Sequence, residues 1–128
     1  MDQERDTKIW AQYPAILSNS LAPAHHYPWR SVCGDGWYDL IDTLCSSLQA
    51  HIDQQQAEPI SVVGIKEKFG QLRVDYRGGD AATRAMIQLV TSLSVRVCEI
   101  CGNRGHTLSD QRWVRTRCEA HRDTSYTL

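Results

Sequence analysis

Trp37, Leu40, Ile41, Leu44, Cys45, Leu48 and Ile52 recur at intervals of three and four residues, the spacing that aligns one face of an α-helix. This is the clearest periodicity in the chain, and it predicts a helix with one buried stripe. Asp35 or Gly36 stands where that helix needs a cap, and a carboxylate there suits the exposed N–H groups and the helix dipole. Ahead of it, Ile9, Trp10, Tyr13, Ile16 and Leu17 also fall at helical spacing. Pro14 divides or bends that segment, because its ring occupies the place of a backbone donor. Residues 19–36 collect Asn, Ser, two prolines, two glycines and the pair His25-His26. They read as an irregular connection anchored by Tyr27 and Trp29.

The period changes after Glu58-Pro59. Ile60, Val62, Val63 and Ile65 read as a strand. Leu72, Val74 and Tyr76 then alternate with Arg73, Asp75 and Arg77, as a half-buried strand requires. Phe69-Gly70-Gln71 supplies the turn of an antiparallel hairpin, and Gly78-Gly79 ends it. Asp80 caps a further helix whose inward residues are Met86, Ile87, Val90 and Leu93. The pattern predicts an α+β fold: a small antiparallel sheet packed with two to three helices, plus a C-terminal module. Residues 1–95 form the core domain, 96–122 the module packed on it, and 123–128 a tail.

Composition narrows the class. At 128 residues, with 41% hydrophobic and 23% charged side chains, the chain has room for one folded domain and a small appendage. No stretch reaches the roughly 18 apolar residues of a membrane span. The first twenty residues carry Asp2, Glu4, Arg5, Asp6 and Lys8 in place of an apolar signal core, which argues against secretion. Five cysteines, an odd number, fit a reducing compartment better than a disulfide framework. The net charge of −1 conceals an asymmetry: residues 1–60 carry −5, residues 61–95 carry +2 and residues 96–122 carry +3. Two faces of opposite sign suit two partners, yet the basic half is too sparse for a dedicated DNA binder.

The strongest chemical signal is Cys98-x2-Cys101-x16-Cys118-x2-His121. Two residues between paired ligands let both side chains of a tight turn converge on one ion, and the longer gap holds a loop and short strands. Three thiolates and an imidazole satisfy tetrahedral Zn2+ and leave no open position, which predicts a structural ion. Gly102 suits the positive φ of such a knuckle, and six basic residues nearby favour the thiolates.

Other candidates have plainer readings. Cys45 lies on the buried helical face. Cys33 precedes a Gly-Asp-Gly turn, where it is either a structural thiol or a nucleophile paired with His25 or His26. His51 reads as solvated, and His106 as a less regular competitor for the metal. Asp35, Asp39 and Asp42 form either a cation or acid–base group or a solvated, dipole-compensating face. Arg112, Arg115 and Arg117 flank Trp113 just before the third ligand. That set suits phosphates and a stacked base, or an acidic protein patch. In the plainer reading Trp113 packs the module onto the core and the arginines face water.

Three segments together, Cys33-Gly-Asp-Gly-Trp-Tyr-Asp-Leu-Ile41, Ile65-Lys-Glu-Lys-Phe-Gly-Gln-Leu-Arg73 and the Cys98–His121 signature, resemble small zinc-binding proteins encoded by bacteriophages and prophages. The similarity spans about residues 30–122. This chain departs from it at Gln71, where a second glycine is common, and at Val74, where an aromatic is common. The resemblance implies a phage accessory protein that binds and inhibits or redirects a host protein or ribonucleoprotein complex, including defence systems in the manner of an anti-CRISPR. It implies no catalytic residues. The alternatives are a small zinc-ribbon regulator that binds nucleic acid and, third, a metal-dependent nuclease. The nuclease lacks its usual histidine pair, since His106 alone lies between the two ligand pairs.

Overall fold

The structure is a computed structural model and describes residues 1–17, 31–109 and 113–124. Tyr27, Trp29, His25, His26, Arg112 and the end of the tail lie outside the described residues. Three α-helices, a three-stranded sheet and a two-stranded sheet make the expected α+β arrangement. No helix among the described residues is long and apolar enough to cross a membrane.

Helix α1 (Gln3–Gln12) starts at Asp2, whose carboxylate accepts from the Arg5 amide at 2.8 Å. It stops at Tyr13, the residue before Pro14, as the steric demand of proline on its predecessor dictates. Ile16 and Leu17 continue inward from the turn that follows, and the Ile16 carbonyl accepts from the Val62 amide at 2.8 Å. Helix α2 (Tyr38–Gln55) buries Ile41, Leu44, Cys45 and Leu48, the stripe read from the sequence. Its start differs from the expectation. A single 3-10 turn, Asp35–Trp37, leads into it, and Asp35 does not cap it. The Asp35 carboxylate instead accepts from the Asp2 amide at 2.8 Å, tying the two helix starts together.

The hairpin consists of β2 (Ile60–Lys68) and β3 (Gln71–Gly78), paired antiparallel. A bulge between Val62 and Gly64 inserts Val63 as an unpaired residue. It resolves an awkward parity: without it, Ile65 would face away from Ile60 and Val62, whereas all three are buried. A third strand, β1 (Ser31–Val32), runs parallel to β2 inside the segment read as irregular. Its Ser31 amide donates to the buried Asp6 carboxylate of α1 at 3.0 Å.

Helix α3 (Ala81–Ser94) is capped by Asp80 in a reciprocal box with Thr83. Its buried face runs through Thr83, Ile87, Val90 and Ser94; Leu93 is exposed and Met86 only half-buried. Ile87 and Val90 face inward as expected, and the polar Thr83 and Ser94 join them because each has a hydrogen-bond partner in the packing. Ser94 Oγ accepts from the Leu72 amide of β3 at 3.0 Å. α3 packs on α2 and on β3, and Ile9 of α1 with Ile16 and Leu17 joins the same core. His51, expected in solvent, is half-buried on α2, with Nε2 2.9 Å from the Asp80 carboxylate.

Two predictions follow from local geometry. Phe69 and Gly70 are the two central residues of the hairpin turn, both at positive φ (56° and 78°), as a type I′ turn requires. Phe is poorly suited to that conformation and Asn-Gly is the preferred pair, so Phe69→Asn is expected to stabilise the fold by about 0.5–1 kcal/mol. Thermal melting would register this as a rise of roughly 2–4 °C. Separately, hydrogen bonds from His51 and the Thr83 amide hold the Asp80 carboxyl below its ordinary 3.8. A depressed folded-state value means stability present above pH 3.8 and lost as pH falls through the folded value. Denaturant titrations should show the advantage over Asp80→Asn at full size near neutrality and shrinking below that pH.

Candidate metal centre

After α3 the chain turns back on itself, with Val97 bridging Arg104. Inside this loop the Cys98 amide donates to the Asn103 carbonyl at 2.7 Å, and the Gly102 amide to the Cys98 carbonyl at 2.9 Å. Gly102 takes φ 83°, the left-handed conformation expected of it. The loop presents Cys98 and Cys101. The strands β4 (His106–Leu108) and β5 (Arg115–Arg117) pair antiparallel and deliver Cys118, and a 3-10 turn, Glu119–His121, swings His121 round to it.

The four donor atoms lie within 4.8 Å of one another. Cys101 Sγ is 3.7 Å from Cys118 Sγ, and His121 Nδ1 is 3.3 Å from Cys118 Sγ and 3.9 Å from Cys98 Sγ. Metal–sulfur bonds of about 2.3 Å and metal–nitrogen bonds of about 2.0 Å at tetrahedral angles demand edges of roughly 3.8 and 3.6 Å. The cluster fits a tetrahedral ion held through Nδ1 of the imidazole. Among the described residues it is the single grouping of three or more His, Cys, Asp or Glu side chains disposed for a metal.

The charge state points the same way. Burial pushes the Cys98 thiol up, but the amides of Cys101, Cys118 and Ile100 outweigh it and bring the group down to about 7. At Cys101 the Asn103 amide acts downward, yet burial and the neighbouring Cys118 and Cys98 sulfurs raise it above its ordinary value. One thiolate forms readily and then opposes the next, a conflict that a divalent cation removes.

The flanking basic residues do other work than expected. Arg117 is buried, and its Nη1 donates to the carbonyls of Thr124 at 2.7 Å and His121 at 3.3 Å. Arg115, half-buried, donates to the Arg122 carbonyl at 2.7 Å. Both arginines hold the turn that follows Cys118. Trp113 is exposed and so does not pack the module onto the core; Arg112 lies outside the described residues. His106 is exposed on β4 and is not one of the four clustered donors, although it pairs with Arg117 and lines a cavity with Cys118 and Glu119. Cys33 is buried and its thiol is pushed up to about 12 by burial, which leaves it unsuited to nucleophilic attack. Cys45 is likewise buried and raised to about 12. Asp42 accepts from the Tyr13 hydroxyl at 2.8 Å, and Asp35 is engaged as described, so the acidic trio does not converge.

Residues that the spacing argument missed anchor the module. Gly34 and Gly36 lie directly against the Cys98–Gly102 loop: a Cβ on Gly34 would sit 2.2 Å from the Glu99 carbonyl oxygen, and one on Gly36 2.1 Å from that of Cys98. The Gly36 amide donates to the Glu99 carbonyl at 2.7 Å, and the Gly34 amide to Glu99 Oε2 at 3.0 Å. Trp37 Nε1 reaches the Val97 carbonyl at 2.9 Å. The signal was a buried-type spacing of two glycines beside a tryptophan, together with a glutamate between two metal ligands. Compared with protein-family models, with curated proteins and with solved structures, the chain matches none of them.

Glu99→Ala is expected to destabilise the fold by about 1–3 kcal/mol, because it strips a buried acceptor from the Gly34 amide. Melting should drop by roughly 3–10 °C. Metal titration of the same variant should still give one ion per chain, whereas Cys98→Ser should lose it.

Proposed function

We propose that the chain is a phage-encoded, non-enzymatic zinc-binding protein that works by occupying a protein or ribonucleoprotein complex of its bacterial host. The ion is Zn2+, to which three thiolates and one imidazole in tetrahedral array are matched in softness and geometry. The observation that carries the reading is the closure of this site. Cys98, Cys101, Cys118 and His121 fill all four positions, leaving none for an activated water or a substrate. A saturated ion contributes to folding and not to turnover. The nuclease alternative needs both an open metal and an acid–base pair, and His106 is the one histidine between the two ligand pairs.

The nucleic-acid alternative relied on arginines flanking Trp113. Arg117 is buried and Arg115 is committed to a backbone carbonyl, which removes two of its intended phosphate contacts. This favours a protein surface as the target. The resemblance to phage accessory proteins supports a cytoplasmic role in blocking or redirecting host machinery, with defence complexes such as CRISPR effectors among the candidate targets.

Recovery of the tagged chain from bacterial lysate, with and without nuclease, tests this. A stoichiometric protein complex that survives nuclease is expected. Metal-dependent turnover by the purified chain, abolished in Cys98→Ser, would sink the proposal. So would recovery of nucleic acid alone.

A further inference from the structure

Phe69 and Trp113 are the two most exposed large apolar side chains among the described residues, at 68% and 69% of full accessibility. They line one cleft of about 470 Å³, with Glu67, Val114, Arg115 and Arg117. That volume falls within the roughly 300–1,000 Å³ of ligand-binding clefts and accommodates one or two large side chains. Phe69 breaks two local rules at once. It holds a left-handed backbone conformation that asparagine fills better, and it exposes an aromatic ring at a hairpin tip. Strain and exposure together at one residue mark a position kept for its side chain, since neither folding nor solubility gains from it.

The cleft is also composite. Phe69 belongs to the β2–β3 hairpin, while Trp113 and Val114 belong to the metal module. The two halves meet where Thr116 Oγ1 donates to the Gly70 carbonyl at 2.6 Å. A Cβ on Gly70 would lie 3.1 Å from the Arg115 backbone, so hairpin tip and β5 touch main chain to main chain.

We propose that this cleft is the docking site for an acidic segment of a partner protein bearing an apolar anchor, and that it is assembled only while the metal holds the module in place. The proposal rests on the binding-protein reading above. Charge selects the partner: in the lining Glu67 and Glu99 balance Arg115 and Arg117, and the exposed Lys68 at the edge tips the rim positive. Lys68 projects over the Phe69 ring, 5.8 Å from its centre, so the aromatic platform has a cation at its edge. The lining carboxylates are turned inward: Glu67 accepts from the Gly70 amide at 2.8 Å, and Glu99 from the Gly34 amide. The arginines are bonded to carbonyls of their own module. The rim therefore offers aromatic area in a weakly basic field. That combination gives apolar affinity with electrostatic steering, and it lacks the row of outward cations that a phosphate backbone needs.

The test is to pan a yeast-displayed library of random 12-residue peptides on the zinc-loaded chain, counter-selecting against the Phe69→Asn, Trp113→Ser double variant. Phe69→Asn keeps the turn, so loss of binding is not loss of fold, and melting curves verify it. Enrichment of peptides with Asp or Glu around an aromatic or large aliphatic residue is expected. Their affinity should fall at least tenfold in the double variant and in wild type stripped of metal. No enrichment, enrichment of basic peptides, or undiminished binding to the double variant overturns the proposal. Undiminished binding to the metal-free chain overturns its metal dependence. A fluorescein-labelled fifteen-residue oligothymidylate that binds wild type and not the double variant overturns it in favour of nucleic acid. The two readings fail separately. A host complex that also captures the double variant leaves the binding-protein reading standing and removes the cleft. Acidic peptides without any host complex do the reverse.

Discussion

The backbone of the Cys98–Gly102 loop rests on the backbone of Gly34–Gly36, and most of what distinguishes this fold depends on that contact. Two glycines leave room for the carbonyls of Cys98 and Glu99 to approach where any side chain would collide. The approach brings the Gly34 and Gly36 amides within reach of Glu99 and sets Trp37, buried at the start of α2, under the Val97 carbonyl. A loop that carries two metal ligands is thereby fixed to the first turn of the longest helix. Metal, loop, glycine pair and core helix form one mechanical series.

A module this small encloses little apolar surface of its own, Cys98 and Leu108 being its buried hydrophobic residues. It needs an ion or a neighbour to stay ordered. The fold provides a place for each, on different parts. An ion held by the Cys98, Cys101, Cys118 and His121 cluster would join the loop to the turn Glu119–His121. The core supplies the glycine cradle on one side and the hairpin tip on the other, through Thr116 and Gly70. Arg117 closes the arrangement from within, its guanidinium holding the carbonyls that follow the last ligand. A buried arginine in so small a module is tolerable because those carbonyls accept from its Nη1.

Periodicity made α2, α3 and the hairpin legible, because each presents a regular apolar stripe to a common core. Ligand spacing made the metal cluster legible, because short local turns decide whether paired side chains converge. What the sequence concealed are contacts between distant segments. Asp35 looked like a cap because it precedes an apolar run, but its carboxylate accepts from the Asp2 amide and α2 has no side-chain cap. β1 is two residues long and has no period to detect. Thr83 and Ser94 carry no apolar signal, yet both are buried because cap and strand donors needed oxygen acceptors there. Arg117 resembled its neighbours in the sequence, and only the closing of the C-terminal turn over it decided that it is internal.

The three segments whose order suggested a phage accessory protein are, in the fold, the three parts of one junction. Cys33–Ile41 supplies the cradle, Ile65–Arg73 the hairpin tip and Cys98–His121 the metal loop. Stability accounts for Gly34, Gly36, Trp37, Glu99, Gly70 and Thr116, each of which is buried or bonded across the junction. It does not account for Phe69 or Trp113, which stand in solvent on either side of the same seam. A junction built to hold two elements in fixed relation, with one unburied aromatic contributed by each, has the form of a surface assembled from both. Rigid placement of aromatic side chains is what limits the entropy lost when a partner binds. The metal centre and the exposed aromatics are thus two ends of a single construction, the first setting the geometry in which the second can be recognised.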